Sequence, residues 1–311
     1  MSINSTMSTQ NSLVVSPTLA DALSLLAQGA RPVAGGTDLV VGARQGKKPL
    51  PAALVAIHRL TELHSLSTTL ADGSSGIRLG ALTTHGEIVA HPLIRSRFTG
   101  LCDASSIVGS HATRATGTIG GNVMTASPAM DTGAPLLCLD AVVVLQSVSG
   151  TRRVALKEFF VGPGKTVAQS DELLVAVEIP DTVGTIGSCY VRLEYRQQME
   201  IAVVGAAAFV QIENGVIVAA RVAITALAPT IRRISDAEAA LVGTNGDRAA
   251  IDAAANAAAL ATAPISDVRA SADYRKAMAK VITRRAIQGA LARANGEEVA
   301  IPATSSLQGV R

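Results

Sequence analysis

The chain has 311 residues, 48% of them hydrophobic and 16% charged, which is enough apolar material for a sizeable core and more chain than one average domain uses. Its formal charge of +3 comes from 27 basic and 24 acidic residues spread along the sequence, with no Lys/Arg block of the kind that binds nucleic acid or an anionic membrane. Four Phe, three Tyr and no Trp leave little to stack on bases, and no apolar run reaches the roughly 18 residues that a membrane-spanning helix needs.

Residues 1–11 are Ser/Thr-rich and read as a disordered start. They lack the basic and apolar stretches of a secretory signal, so a cytoplasmic protein is expected. A short strand over 12–15 precedes a helix over 17–28 with Leu19, Leu23 and Leu26 on one face, closed by Gly29. A second strand from Arg31 runs into a Gly-Gly pair, and 54–57 is a third strand, giving a βαβ-like opening unit. Strands are expected at 77–82, 141–147 and 173–179, with helix at 83–90 and 101–108 between them. Two apolar runs, 202–212 and 216–227, flank Glu213-Asn214-Gly215, which is the signature of an antiparallel hairpin. Helical patterns follow at 236–242, 247–263 and 271–294, the last with Tyr274, Met278, Val281, Ile282 and Ile287 on a buried face.

Two segments stand out chemically. The first is Pro32-Val33-Ala34-Gly35-Gly36-Thr37-Asp38-Leu39. Adjacent glycines after a strand let the backbone turn sharply and present consecutive N–H groups, a nest for an anion such as a pyrophosphate. Taken alone, the pair reads first as a tight strand-to-helix turn. The second is Thr118-Ile119-Gly120-Gly121-Asn122, followed by Thr125, Ser127 and Asp131. One ligand with two phosphates and a hydroxyl-bearing tether would suit both segments together. Neither has the Gly-x-Gly-x-x-Gly spacing of a Rossmann unit or the Lys-Ser/Thr ending of a P-loop.

The pairing resembles the FAD-binding motifs of the molybdenum hydroxylase flavoprotein subunits, the group of the medium subunit of aerobic carbon monoxide dehydrogenase and the flavin domain of xanthine dehydrogenase. The similarity extends over about 13–296. It includes Ile77-Arg78-Leu79-Gly80-Ala81-Leu82-Thr83-Thr84, Asp171-Glu172-Leu173-Leu174, Met199-Glu200-Ile201-Ala202 and Ser266-Asp267-Val268-Arg269-Ala270-Ser271. The resemblance implies an α+β fold: a two-part FAD-binding PCMH-type domain, with a small α/β unit at 12–66 and a larger mixed unit at 67–185. A C-terminal domain of antiparallel sheet and helices follows at 186–297, with a tail at 298–311.

By the same resemblance, the backbone of Pro32–Leu39 and Thr118–Asn122 holds FAD. Thr125 and Asp131 add polar contacts, Leu173 and Leu174 flank the adenine, and Gly109 and Ser110 lie close to the flavin. Arg192 stands near the flavin where relatives often have Lys, which keeps the charge and changes its geometry. His111 to Thr116 departs from the family's Pro-Gln-Ile-Arg-Asn-Arg. Tyr195 is read either as a cover for the flavin ring or as a packing residue.

Neither a catalytic side chain nor a metal ligand is expected in this chain. Cys102, Cys138 and Cys189 are too few and too far apart for an iron–sulfur cluster, and the five histidines lack metal-ligand spacing. The implied role is electron transfer: FAD on this chain would take electrons from [2Fe–2S] clusters of a small partner subunit, with molybdopterin on a large one, in a dimer of heterotrimers. The alternative is a stand-alone flavin oxidase or reductase of the same fold.

Overall fold

The computed structural model describes residues 12–46, 49–196 and 198–303. The expected disordered start at 1–11 and the far end of the tail lie outside them.

The opening unit is a parallel three-stranded sheet of order β1-β3-β2, formed by β1 (Ser12–Val15), β2 (Arg31–Val33) and β3 (Ala53–Ala56). Helix α1 (Leu19–Ala27) makes the first crossover. Thr18 caps it by accepting from the Asp21 amide at 3.1 Å, and Gly29 ends it at φ +92°. Helix α2 (Leu39–Arg44) begins the second crossover directly after the first Gly-Gly segment.

The second unit holds a five-stranded antiparallel sheet of order β4-β5-β10-β6-β7. Its strands are β4 (Leu66–Thr69), β5 (Ser75–Gly80), β6 (Val142–Ser147), β7 (Gly150–Ala155) and, after a small β8 (Phe160–Gly162) and β9 (Lys165–Thr166) pair, β10 (Leu173–Pro180). Six short helices fill the interval before β6: α3 (His85–Ala90), α4 (Pro92–Arg97), α5 (Thr99–Ser106), α6 (His111–Thr116), α7 (Ile119–Thr125) and α8 (Gly133–Cys138). The central strand β10 is buried along almost its whole length. Leu173 and Val175 pack with Leu23, Leu26 and Val55 of the opening unit, while Leu174, Val177 and Ile179 pack with Ile119, Val123 and Leu136 on the helical side. A strand covered on both faces is apolar at successive positions, which is why the run carries no alternation. Its one buried charge, Glu178, is answered by Arg78 at 3.0 Å and Arg153 at 2.8 Å.

The third unit is an antiparallel sheet β11 (Thr185–Leu193), β12 (Val204–Glu213), β13 (Val216–Thr225) and β14 (Arg232–Arg233). The turn between β12 and β13 puts Asn214 and Gly215 at φ +51° and +78°, as an Asn-Gly hairpin turn requires. Helices α9 (Ser235–Ala239), α10 (Arg248–Leu260) and α11 (Ala272–Ala294) follow. The sheet is sandwiched: Val191, Val204 and Val210 face α10 and α11, whereas Tyr190, Ala207 and Phe209 face the core of the second unit.

Two element-level expectations change. The second Gly-Gly segment is helical, because Thr118 caps α7 by accepting from the Gly121 amide and Gly120 tucks under the Ala81 backbone. On α11 the buried face is made by Ala279, Ile282, Ala286, Ile287 and Ala290, with Tyr274 left 44% exposed. Small alanines let the helix lie close on β11 and β12.

Candidate functional site

The two Gly-Gly segments meet. Gly35 rests so close to the end of α6 that an added Cβ would lie 1.8 Å from the Thr116 carbonyl oxygen. Gly36 then takes φ +69°, a conformation that favours glycine. On the far side, the Thr125 hydroxyl of α7 reaches the Asp38 carboxylate at 3.0 Å. Asp38 occupies the N-cap position of α2 but makes no capping bond, because its carboxylate is turned to this cross-link instead.

The segments contribute different chemistry. Among the described residues, none of the five amides from Gly35 to Leu39 donates to a protein acceptor. The amides of the second segment are used internally: Ile119 donates to Thr83, Gly120 to Ala81, Gly121 to the Thr118 hydroxyl and Asn122 to the Thr118 carbonyl. The first segment therefore has the free N–H groups that an anion nest needs, and the second presents side chains and a glycine floor. Gly121 is open, with only the Thr118 hydroxyl within 3.0 Å of a built Cβ. Asn122 accepts from Thr132 at 2.6 Å through its side-chain oxygen, so its amide nitrogen is the end left for a ligand. Successive free amides, a threonine hydroxyl and an amide side chain fit a diphosphate with a hydroxyl-bearing tether.

Below the junction lies a residue that the sequence reading did not single out. His85 opens α3, is 1% exposed and has no partner for Nδ1. Its amide donates to the Gly117 carbonyl at 3.1 Å, and Gly117 lies between the His85 ring and the Thr37 hydroxyl. Burial, then the charge of Arg114, pulls its pKa down to about 4, so the ring is neutral at pH 7. Arg114 was not singled out either, although it is the one residue of 111–116 that keeps the family's residue; no local signal marks His85 as buried.

Gly109, at φ +53°, accepts from the Met199 amide at 3.1 Å, and the Ser110 hydroxyl caps α6 by accepting from Thr113. This brings the segment around Met199 beside the turn into α6. Tyr195 is 66% exposed and its hydroxyl donates to the Arg269 carbonyl. It is a tethered surface tyrosine, outside either core.

Asp131 and Arg192 stand together, 2.8 Å apart, with the Tyr190 hydroxyl donating to the second Asp131 oxygen at 2.7 Å. Arg192 also pairs with Glu194 and reaches the carbonyls of Ile107 and Glu200, both at 3.3 Å. Burial pushes the Asp131 carboxyl up to about 6 while Arg192 and Tyr190 pull against it. Both Asp131 oxygens are thus engaged by protein, and the pair braces α8's approach, the α5–α6 turn and the Met199 segment as one unit. Leu173 and Leu174 have buried side chains, 4% and 2% exposed, so what they offer a ligand is backbone. Two concavities of the surface, one beside Arg97 and Thr185 and one between α10 and α11, contain none of these residues.

Comparison with known proteins gives two family matches along the chain. Residues 8–182 match the family described as the FAD binding domain in molybdopterin dehydrogenase, and 190–290 match the CO dehydrogenase flavoprotein C-terminal domain. The chain is 31% identical over 283 residues to the putative xanthine dehydrogenase FAD-binding subunit of Escherichia coli, covering 90% of this chain and 96% of the relative. It is 32% identical over 279 residues to the carbon monoxide dehydrogenase medium chain of Afipia carboxidovorans, covering 89% and 95%. Among solved structures, carbon monoxide dehydrogenase from Hydrogenophaga pseudoflava superposes with a TM-score of 0.86 at 29% identity, covering 91% of this chain and 98% of that one. Quinoline 2-oxidoreductase from Pseudomonas putida gives 0.83 at 28% identity, covering 91% and 97%.

Proposed function

The chain belongs to the family of FAD-binding chains of molybdopterin dehydrogenases, and from that premise we propose that it is the electron-transfer flavoprotein subunit of a molybdenum hydroxylase complex. The observation that carries this is the junction of the two glycine segments, with five free amides on one side and Asn122, Thr125 and an open Gly121 on the other. FAD, when bound, supplies the redox chemistry, accepting electrons from one centre and releasing them to an acceptor.

The chain's own residues hold and orient it. The amides of Gly35–Leu39 bind the diphosphate, and Thr37, Asn122 and Thr125 bind hydroxyl-bearing parts. The backbone of Pro32, Val33 and Ala34 shapes the approach to the nest, and Thr118, Ile119 and Gly120 build the floor. Gly109 and Ser110 approach the flavin, with Asp131 and Arg192 bracing the wall behind them. Leu173 and Leu174 contribute backbone near the adenine. This reading divides the chain into FAD-binding subdomains at 12–66 and 67–185 and a C-terminal domain at 186–297.

The partners proposed are a small subunit with [2Fe–2S] clusters and a large molybdopterin subunit, assembled as a cytoplasmic dimer of heterotrimers. No helix among the described residues is long and apolar enough to cross a membrane. The organic substrate would be oxidised on the large subunit.

The test is a visible absorption spectrum and metal analysis of the assembly purified through a tag on this chain. Flavin bands with iron, molybdenum and two co-purifying chains are expected. Flavin bands from this chain alone, without metals and with turnover of a substrate, would instead establish a stand-alone flavin oxidoreductase.

A further inference from the structure

Every other strongly buried arginine in the described residues has a carboxylate beside it. Arg192, 3% exposed, has Asp131 and Glu194; Arg275, 3% exposed, has Asp267 at 2.7 Å; the Arg293 side chain has Asp103 at 2.6 Å. Arg114 is 9% exposed and has no carboxylate within 4 Å among the described residues. One neutral acceptor, the Val108 carbonyl at 3.1 Å, meets its guanidinium. Its ionisable neighbour His85 is neutral at pH 7, so no group among the described residues answers the charge. Burying a cation without a counter-charge is unfavourable, so an anion brought beside Arg114 would be favoured.

The position of the charge narrows what that anion is. Arg114 lies on α6, the helix that connects the Gly109–Ser110 turn to the second glycine segment. Its guanidinium is bonded at Val108, next to Gly109, at the opposite end of α6 from the Thr116 carbonyl that packs on Gly35. The diphosphate nest already has its own five amides. The other cation on this side, Arg192, is neutralised by Asp131 and Glu194.

We propose that Arg114 is a further cofactor-facing residue, the positive charge set against the flavin ring of FAD, and that it favours the reduced cofactor, whose ring gains negative charge. The proposal rests on the FAD reading above. A fixed charge near the ring nitrogens is one of the levers by which a protein sets a flavin potential. The guanidinium acts through its field and needs no proton transfer.

The experiment uses the full chain loaded with FAD, as wild type, Arg114→Gln and Arg114→Lys. Reductive titration against a reference dye gives the midpoint potential, and thermal melts of the FAD-free proteins give stability. Arg114→Gln is expected to lower the preference for reduced over oxidised FAD about tenfold, a shift of about 30 mV to more negative potential for a two-electron couple. Arg114→Lys should recover most of it. FAD-free Arg114→Gln should melt no lower than FAD-free wild type, because it loses an uncompensated charge. An unshifted potential in FAD-loaded Arg114→Gln, or a FAD-free variant that melts well below wild type, overturns the assignment in favour of a structural cation. A wild-type chain that binds no FAD would overturn the flavoprotein reading as well, and so is distinguishable from failure of the Arg114 assignment alone.

Discussion

His85 shows how one side chain ties the candidate site to the stability of the whole chain. Its pKa in the folded protein, about 4, lies below the 6.5 of an unfolded histidine, chiefly because the ring is buried and secondarily because Arg114 is near. Between those values the unfolded chain binds the proton and the folded one does not. The stabilisation is therefore present above pH 6.5 and is lost as pH falls through 4, to the extent of about 3 kcal/mol. Asp131 has the opposite sign, since its pKa is raised by burial to about 6: its contribution is present below 3.8 and is lost as pH rises through 6. The informative measurement is accordingly a difference. Melting temperatures of wild type and His85→Gln, compared at pH 7 and pH 4.5, should show a smaller acid loss in the variant. Equal losses would mean that the ring is not the proton acceptor in that window.

At the scale of elements, two similar glycine pairs do unlike jobs. Gly35 is needed for close approach, since any Cβ there would collide with the Thr116 backbone, and backbone cannot swing aside as a side chain does. Gly121 faces open space apart from one hydroxyl. Gly35→Ala is expected to destabilise the protein by about 3 kcal/mol, the upper end for overpacking, and to abolish FAD retention on gel filtration. Gly121→Ala should leave the melting temperature within about 2 °C, because its new methyl meets no backbone and helix position favours alanine over glycine. If the two variants behaved alike in stability, the close approach of α6 to the first segment would not be what holds the junction together.

Across the whole molecule, Asp103 is the residue on which the parts converge. It is fully buried on α5 and accepts from Arg293 of α11 at 2.6 and 2.9 Å, from the Tyr190 amide of β11 at 3.0 Å and from the Ala303 amide at 3.1 Å. One carboxylate thus joins the second unit, the third sheet, the last helix and the chain beyond it. Asp103→Ala leaves the Arg293 cation buried without its partner and should lower unfolding free energy by about 3–5 kcal/mol. Guanidinium denaturation would register this as a lower midpoint. An unchanged midpoint would show that the units are held together by their apolar faces alone.

The sequence by itself determined what depends on near neighbours. The opening βαβ unit, the strands near 77–82, 141–147 and 173–179, the Asn214-Gly215 hairpin and the C-terminal helices were legible, because periodicity and turn chemistry act over a few residues, whereas β4, β7, β11 and the short helices α2, α4, α6 and α8 were not. The helical state of 119–125 was not, since it rests on Thr118 as a cap and on Gly120 meeting Ala81 of a different segment. Only the tertiary structure decided that Asp38 turns to Thr125, that Asp131 is taken up by Arg192 and Tyr190 and, among the described residues, which glycine segment keeps its amides free and that Arg114 goes without a carboxylate. The physical reason is the same in each case: hydrogen bonds and charges are satisfied by whatever the fold brings within about 3 Å, and those partners are far apart along the chain.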